Sequence, residues 1–171
     1  MNIRDHIRTI PDFPKKGINF YDIATLMAQP AAWREAINDL ERLAEAYEPD
    51  MIFGIESRGF LIASPLALDL GCGFGMIRKQ GKLPGEVISQ SYDLEYGKDE
   101  IELQPDLITK DAKILIVDDI LATGGTMAAA EKLIGKAGGN VVGMLALIEL
   151  ENLEGRKLLS ASFETLLGVP A

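Results

Sequence analysis

The sequence predicts an α/β domain: a parallel sheet flanked by helices, built as a single unit over residues 1–171. Three observations carry that reading. Short continuous apolar runs at residues 51–54, 114–117 and 141–148 suit strands buried on both faces. These runs alternate with helical stretches at 30–47, 60–70 and 127–134, an order that implies parallel pairing through right-handed crossovers. At 171 residues the chain has room for one proper core.

Taken in order, residues 1–28 are irregular, broken by Pro11, Pro14 and Gly17, and read as a segment covering a core edge. The first long helix spans 30–47. Pro30 suits a first turn, and Trp33, Ile37, Leu40 and Leu43 make one apolar face. A strand follows at 51–54, then a turn, then a nearly all-apolar helix at 60–70 in which Pro65 predicts a kink or an early break. Gly71 is expected to cap that helix. The glycines of Gly71-Cys-Gly-Phe-Gly75 precede a strand at 74–78 rather than joining a strand to a helix, so they are not a dinucleotide motif. Residues 87–96 and 99–103 read as a hairpin around Gly97-Lys98, polar and Glu-rich, and are expected to be peripheral and mobile. Strands at 141–148 and 163–169 close the chain, joined by a charged connection over 149–159 with a short helical piece.

Composition narrows the function. The net charge of −9 argues against nonspecific nucleic-acid binding, which needs positive surface. Cys72 and His6 are each the only residue of their type, so neither an intrachain disulfide nor a histidine metal cluster can form. No apolar run approaches the ~18 residues of a membrane span, and no signal-peptide core is visible, which together predict a cytoplasmic protein without membrane contact.

The chemistry gathers after residue 114. The apolar run ends in Asp118 and Asp119, and Ala122-Thr123-Gly124-Gly125-Thr126 leads into a strong helix former. Backbone N–H groups and hydroxyls at such a helix start make an anion site, expected at the carboxyl end of a strand. The loop lacks a Walker lysine and the G-x-G-x-x-G spacing, so those two phosphate motifs are excluded. Two carboxylates would repel a phosphate, so they face sugar hydroxyls or a metal. Upstream, Glu56-Ser57-Arg58-Gly59 makes a tight turn at another helix start. Alone, Glu56 and Arg58 read as a surface ion pair; beside a second phosphate loop they read as a diphosphate cradle. Arg78, Lys79 and Lys82 are the densest basic cluster of an acidic chain, in a loop shaped by Gly81, Pro84 and Gly85.

The wording Val-Asp-Asp-Ile-Leu-Ala-Thr-Gly-Gly-Thr, ending at Thr126, resembles the phosphoribosyl pyrophosphate signature of the type I phosphoribosyltransferases, in the form used by their adenine-specific branch. The likeness runs from Pro11 to about Leu150. It implies a type I phosphoribosyltransferase fold with an N-terminal hood (1–28) and a flexible hairpin lid (79–103). It also implies transfer of phosphoribosyl pyrophosphate to adenine, giving AMP and diphosphate with Mg²⁺ carried mainly by the substrate, in a homodimer. No protein-borne metal site is expected. By this resemblance residues 122–126 hold the 5′-phosphate, Asp118 and Asp119 the ribose, and Glu56, Ser57, Arg58, Arg78, Lys79 and Lys82 the diphosphate. Asn19 and Tyr21 offer backbone groups to the purine, and Phe20 a ring. Tyr21 stands where many relatives carry arginine, a departure that matters only if the side chain meets the base. Glu95 handles the purine proton, with Tyr96 beside it, and with Arg58 these form the catalytic set. Two alternatives share the motif: a 6-oxopurine phosphoribosyltransferase, and a non-catalytic regulator that senses phosphoribosyl pyrophosphate. The second is disfavoured because the chain is acidic and keeps the lid.

Overall fold

The computed structural model describes residues 2–94 and 97–171. A sheet with strand order β5-β6-β4-β3-β7-β8-β9 forms its centre. β3 (Met51–Ile55), β4 (Gly73–Lys79), β7 (Lys113–Leu121), β8 (Asn140–Leu150) and β9 (Phe163–Val169) run parallel. β5 (Ile88–Asp93) and β6 (Lys98–Leu103) add an antiparallel hairpin at the β4 edge.

β7 is buried on both faces, as its uninterrupted apolar run requires. Leu115 and Val117 face a core shared with α2 (Pro30–Glu45) and α3 (Gly59–Leu70). Ile114 and Ile116 face the other core, against α4 (Gly125–Lys136) and the hairpin. The two-residue side-chain period of a strand thus feeds two helical layers at once.

α3 continues through Pro65 to Leu70, where Gly71 caps it at φ 68°, so the expected break does not occur. Proline withholds one helical N–H, but the burial of Ile62, Ala63, Leu66 and Ala67 carries the helix across. β7 is also longer than expected. It runs past the acidic pair to Leu121, paired with β8 throughout, while its pairing with β3 stops at Val117. Asp118 and Asp119 therefore sit where β7 outgrows one neighbour.

The N-terminal segment is more regular than its prolines suggest. β1 (Arg8–Pro11) and β2 (Asn19–Asp22) form a two-stranded antiparallel sheet, followed by the single turn α1 (Ala24–Met27). The hairpin is less peripheral than its polar composition suggests, because Ile101 and Leu103 are fully buried in the α4-side core. Among the described residues, no helix is long and apolar enough to cross a membrane.

Leu115 is completely buried at the centre of β7. Leu115→Ala should lower unfolding free energy by about 2–5 kcal/mol, the usual cost of a leucine-sized core cavity. A lower urea midpoint at unchanged m-value would report it.

Candidate active site

The chain runs from β3 through α3 to β4 on one side of the sheet centre, and from β7 through α4 to β8 on the other. Between β3 and β7 the winding reverses, and the crevice at such a reversal is where open α/β sheets bind ligands. Two loops leave the strands there: residues 56–58 after β3 and residues 122–124 after β7.

The two loops touch. Gly59 lies so close to β7 that a Cβ on it would sit 2.9 Å from the Val117 carbonyl oxygen and 3.0 Å from Asp118 Oδ1. Arg58 Nε donates to Asp119 Oδ2, tying the first loop to the acidic pair. The same guanidinium lies 5.6 Å from the centre of the Phe20 ring on β2, which receives Phe13 edge-on at 5.2 Å. Arg58 thus spans the hood and the acidic pair. Its ion pair is with Asp119, whereas Lys79 and Lys82 pair with Asp99 and Glu56.

Asp118 Oδ1 accepts the Asp119 N–H at 2.8 Å. Protein surrounds Asp118 closely although part of its surface reaches solvent; burial first, then repulsion from the Asp119 carboxylate, pushes its carboxyl well above the usual range. A cation or a set of hydroxyl donors beside it would relieve that cost.

A cavity of about 180 Å³ opens between Asp118 and residues 120–127. Its floor is the start of α4, capped by Gly124 at φ 85° with no side-chain cap bond, so the first-turn amides are available to an anion. Gly124 must be glycine on two counts. Its backbone is left-handed, and a Cβ there would lie 2.3 Å from the Gly155 carbonyl oxygen. Thr123, Gly125 and Thr126 also line a wider cavity of about 570 Å³ together with Tyr92, Asp93, Leu94 and Leu158. The hairpin therefore hangs beside the anion loop. Glu95 and Tyr96 lie outside the described residues.

Each basic residue at the end of β4 already holds an acid. Glu56 receives the Lys79 N–H at 2.8 Å and both Arg78 Nε and Nη2 at 3.3 Å, with Lys82 Nζ 3.9 Å away. Burial pushes the Glu56 carboxyl up, but the Lys79 amide, the Arg78 guanidinium and the Lys82 ammonium outweigh it and hold it below its ordinary value. Glu56 and Arg58 do not pair with each other; each serves a different loop. Lys79 Nζ turns to the hairpin, where it donates to Asp99 and to the Tyr92 hydroxyl. Burial depresses the Lys79 ammonium, and those two partners raise it above its usual range. Ser57 lies exposed in the turn, its carbonyl accepting the Phe60 N–H at 3.3 Å.

In the hood, Asn19 and Phe20 are half-exposed, while Tyr21 turns inward and is only 6% exposed. Its hydroxyl donates to the Pro170 carbonyl at 2.6 Å, and the Arg4 guanidinium lies 5.2 Å from its ring centre. The Tyr21 side chain serves the C-terminus and points away from Phe20, so only its backbone can meet a base. Sequence reasoning missed Asp99, Tyr92 and Gly155. Their roles arise from contacts between distant segments, and no local pattern marks them.

Residues 22–167 match the phosphoribosyl transferase domain family. The chain is 55% identical to the adenine phosphoribosyltransferase of Acidiphilium cryptum over 166 residues, 97% of either chain. Its fold superposes on the crystal structure of adenine phosphoribosyltransferase from Thermoanaerobacter pseudethanolicus with a TM-score of 0.95 at 44% identity, covering 98% of both chains. The Saccharomyces cerevisiae adenine phosphoribosyltransferase, solved with an imino-altritol bisphosphate and adenine, matches with a TM-score of 0.93 at 40% identity over 96% of each chain.

Glu56 has a folded-state pKa below its ordinary 4.5, so its ionised form stabilises the fold above that pH and the contribution is lost as pH falls through the lowered value. Glu56→Gln should lower the melting temperature at neutral pH and make its decline on acidification shallower. Thermal melts between about pH 7 and about pH 3 would show it. The decline should not vanish, because Lys79 holds the Asp99 carboxyl down in the same way.

Proposed function

The chain belongs to the adenine phosphoribosyltransferase family, and from that premise we propose how its residues divide the reaction of adenine with 5-phospho-α-D-ribose 1-diphosphate, a purine-salvage step giving AMP and diphosphate. The observation that carries the assignment is the Arg58 side chain, which joins the Phe20 platform to the Asp119 carboxylate and so turns base site and sugar site toward one space.

The 5′-phosphate is held by residues 122–126, through the first amides of α4 and the Thr123 and Thr126 hydroxyls. Asp118 and Asp119 take the ribose hydroxyls. As the bond from C1′ to the diphosphate oxygen breaks, positive charge grows on the sugar, and two fixed carboxylates favour it before any solvent has to reorganise. Repulsion within the pair makes the empty site costly and the charged transition state correspondingly better matched. Adenine lies on Phe20, its edge read by the Asn19 and Tyr21 backbones. Its N9 forms the new bond to C1′ and gives up a proton, which Glu95, with Tyr96 next in sequence, takes up in this reading.

The departing diphosphate meets Lys82, Arg78 and Lys79, with the Ser57 turn beside them. Glu56 orders this loop rather than touching substrate, and Lys79 leaves Asp99 to engage the diphosphate. Among the described residues no group of three acids, histidines or cysteines could hold a metal alone. A Mg²⁺ would be carried mainly by the diphosphate and ribose of the substrate, beside the Asp118 and Asp119 that hold the ribose. When bound, that ion would neutralise charge on the diphosphate. A homodimer fits the exposed Leu61 and Leu68, seven residues apart on one face of α3.

Diphosphate release measured in parallel with adenine, guanine, hypoxanthine and xanthine tests the base; faster turnover with an oxopurine would overturn the adenine assignment. Asp118→Asn and Asp119→Asn should each lower kcat/KM by about 10²-fold or more. Their effects on stability should diverge. Asp118→Asn removes a raised carboxyl whose ionisation destabilises the fold as pH rises, so its melting temperature at neutral pH should increase. Asp119→Asn breaks the Arg58 pair and should lower it. Lys82→Ala should weaken binding of diphosphate and of 5-phospho-α-D-ribose 1-diphosphate while sparing AMP, which lacks that group; calorimetric titration with each ligand separates the outcomes.

A further inference from the structure

We propose that Arg156 is a positioning residue for the 5′-phosphate loop, acting through Glu149 and Gly155; this rests on the reading of residues 122–126 as that loop. The connection between β8 and β9 is a strap laid across the loop's back. Its turn, Gly155–Leu158, meets the loop backbone to backbone. A Cβ on Gly155 would lie 2.2 Å from the Ala122 carbonyl oxygen and 2.9 Å from the Gly124 nitrogen, and a Cβ on Gly124 would strike Gly155 in return. No side chain cushions that contact, so a shift of the turn must either push the loop or open a gap behind it.

Two acids pin the strap. Glu149 stands at the end of β8, paired in register with Leu121, the last residue of β7 before the loop begins. Glu149 is 3% exposed, and Arg156 grips both its oxygens: Nε donates to Oε1 at 2.6 Å and Nη2 to Oε2. The Arg156 guanidinium also lies 5.3 Å from the centre of the Phe163 ring on β9. At the far end, Glu131 of α4 accepts the Ser160 N–H at 3.0 Å and the Ala161 N–H at 2.7 Å. The strap is thus fastened to β8, the strand paired with β7 where the loop begins, and to the helix after the loop. The fork on Glu149 sets the orientation of the residue adjoining Gly155, which a single ammonium could not do. Loop amides must keep a fixed geometry to bind phosphate, and misplacement of about an ångström is enough to weaken such a site.

The test uses the full chain and calorimetric dissociation constants for AMP, adenosine and inorganic diphosphate with Mg²⁺. The ratio of the adenosine to the AMP constant isolates the 5′-phosphate. In Arg156→Gln that ratio should fall by about tenfold to a hundredfold, with KM for the phosphoribosyl donor rising more than kcat falls and diphosphate binding unchanged. Glu149→Gln should move the ratio in the same direction. Arg156→Lys keeps the charge beside Glu149 but loses the fork; it should give a smaller fall and carries the test if Arg156→Gln folds poorly. An unchanged ratio in these folded variants, or equal weakening of AMP, adenosine and diphosphate, overturns the proposal. A wild-type protein that binds AMP no more tightly than adenosine would remove the phosphate-loop reading itself.

Discussion

The site depends on the placement of two adjacent carboxylates where β7 has lost one sheet neighbour and kept the other. At Asp118 and Asp119 the backbone is still held by β8, while β3 has ended and left a crevice. Charge in such a place is expensive, and the surrounding structure manages it unequally. Asp119 is paired with Arg58 from the neighbouring loop; Asp118 accepts the amide of its neighbour and is backed closely by Gly59. The strain is therefore local, electrostatic and borne by the group nearest the anion loop. A cation or a set of hydroxyl donors beside Asp118 would relieve that cost.

The cations follow a related logic. In a chain of net charge −9, the basic residues at the end of β4 are already paired internally. Glu56 gathers Arg78 and Lys82, and Asp99 with Tyr92 gathers Lys79. These pairings hold the cations in position, so an anion arriving there would meet ordered side chains. Lys79 is the point of coupling to the hairpin, because the bond it would surrender to diphosphate is one that now holds β6. The hairpin itself is rooted by Ile101 and Leu103, whose burial keeps its base in the sheet.

Strand and helix positions, the two loops and the basic cluster were legible in the chain because each is written in neighbouring residues: apolar runs of strand length, glycine at a left-handed turn, charges gathered within a few positions. The acidic pair and the anion loop were legible for the same reason. What misled was also local. Pro65 looked like a break, the prolines of the N-terminal segment looked irregular and the hairpin looked polar; in each case burial supplied by distant segments overrode the local signal.

Sequence alone determined on which loops the acidic pair, the glycine turn and the basic cluster sit, since those follow from local order along the chain. Tertiary structure alone decided their partners. It sent Arg58 to Asp119 and Phe20 rather than to Glu56, turned Tyr21 inward to Pro170, tied Lys79 to Asp99 and set Gly155 against the anion loop. The reason is physical. Such pairings join segments from different strands, and a one-dimensional order carries no distance between side chains that meet only after the sheet has assembled and its crevice has formed.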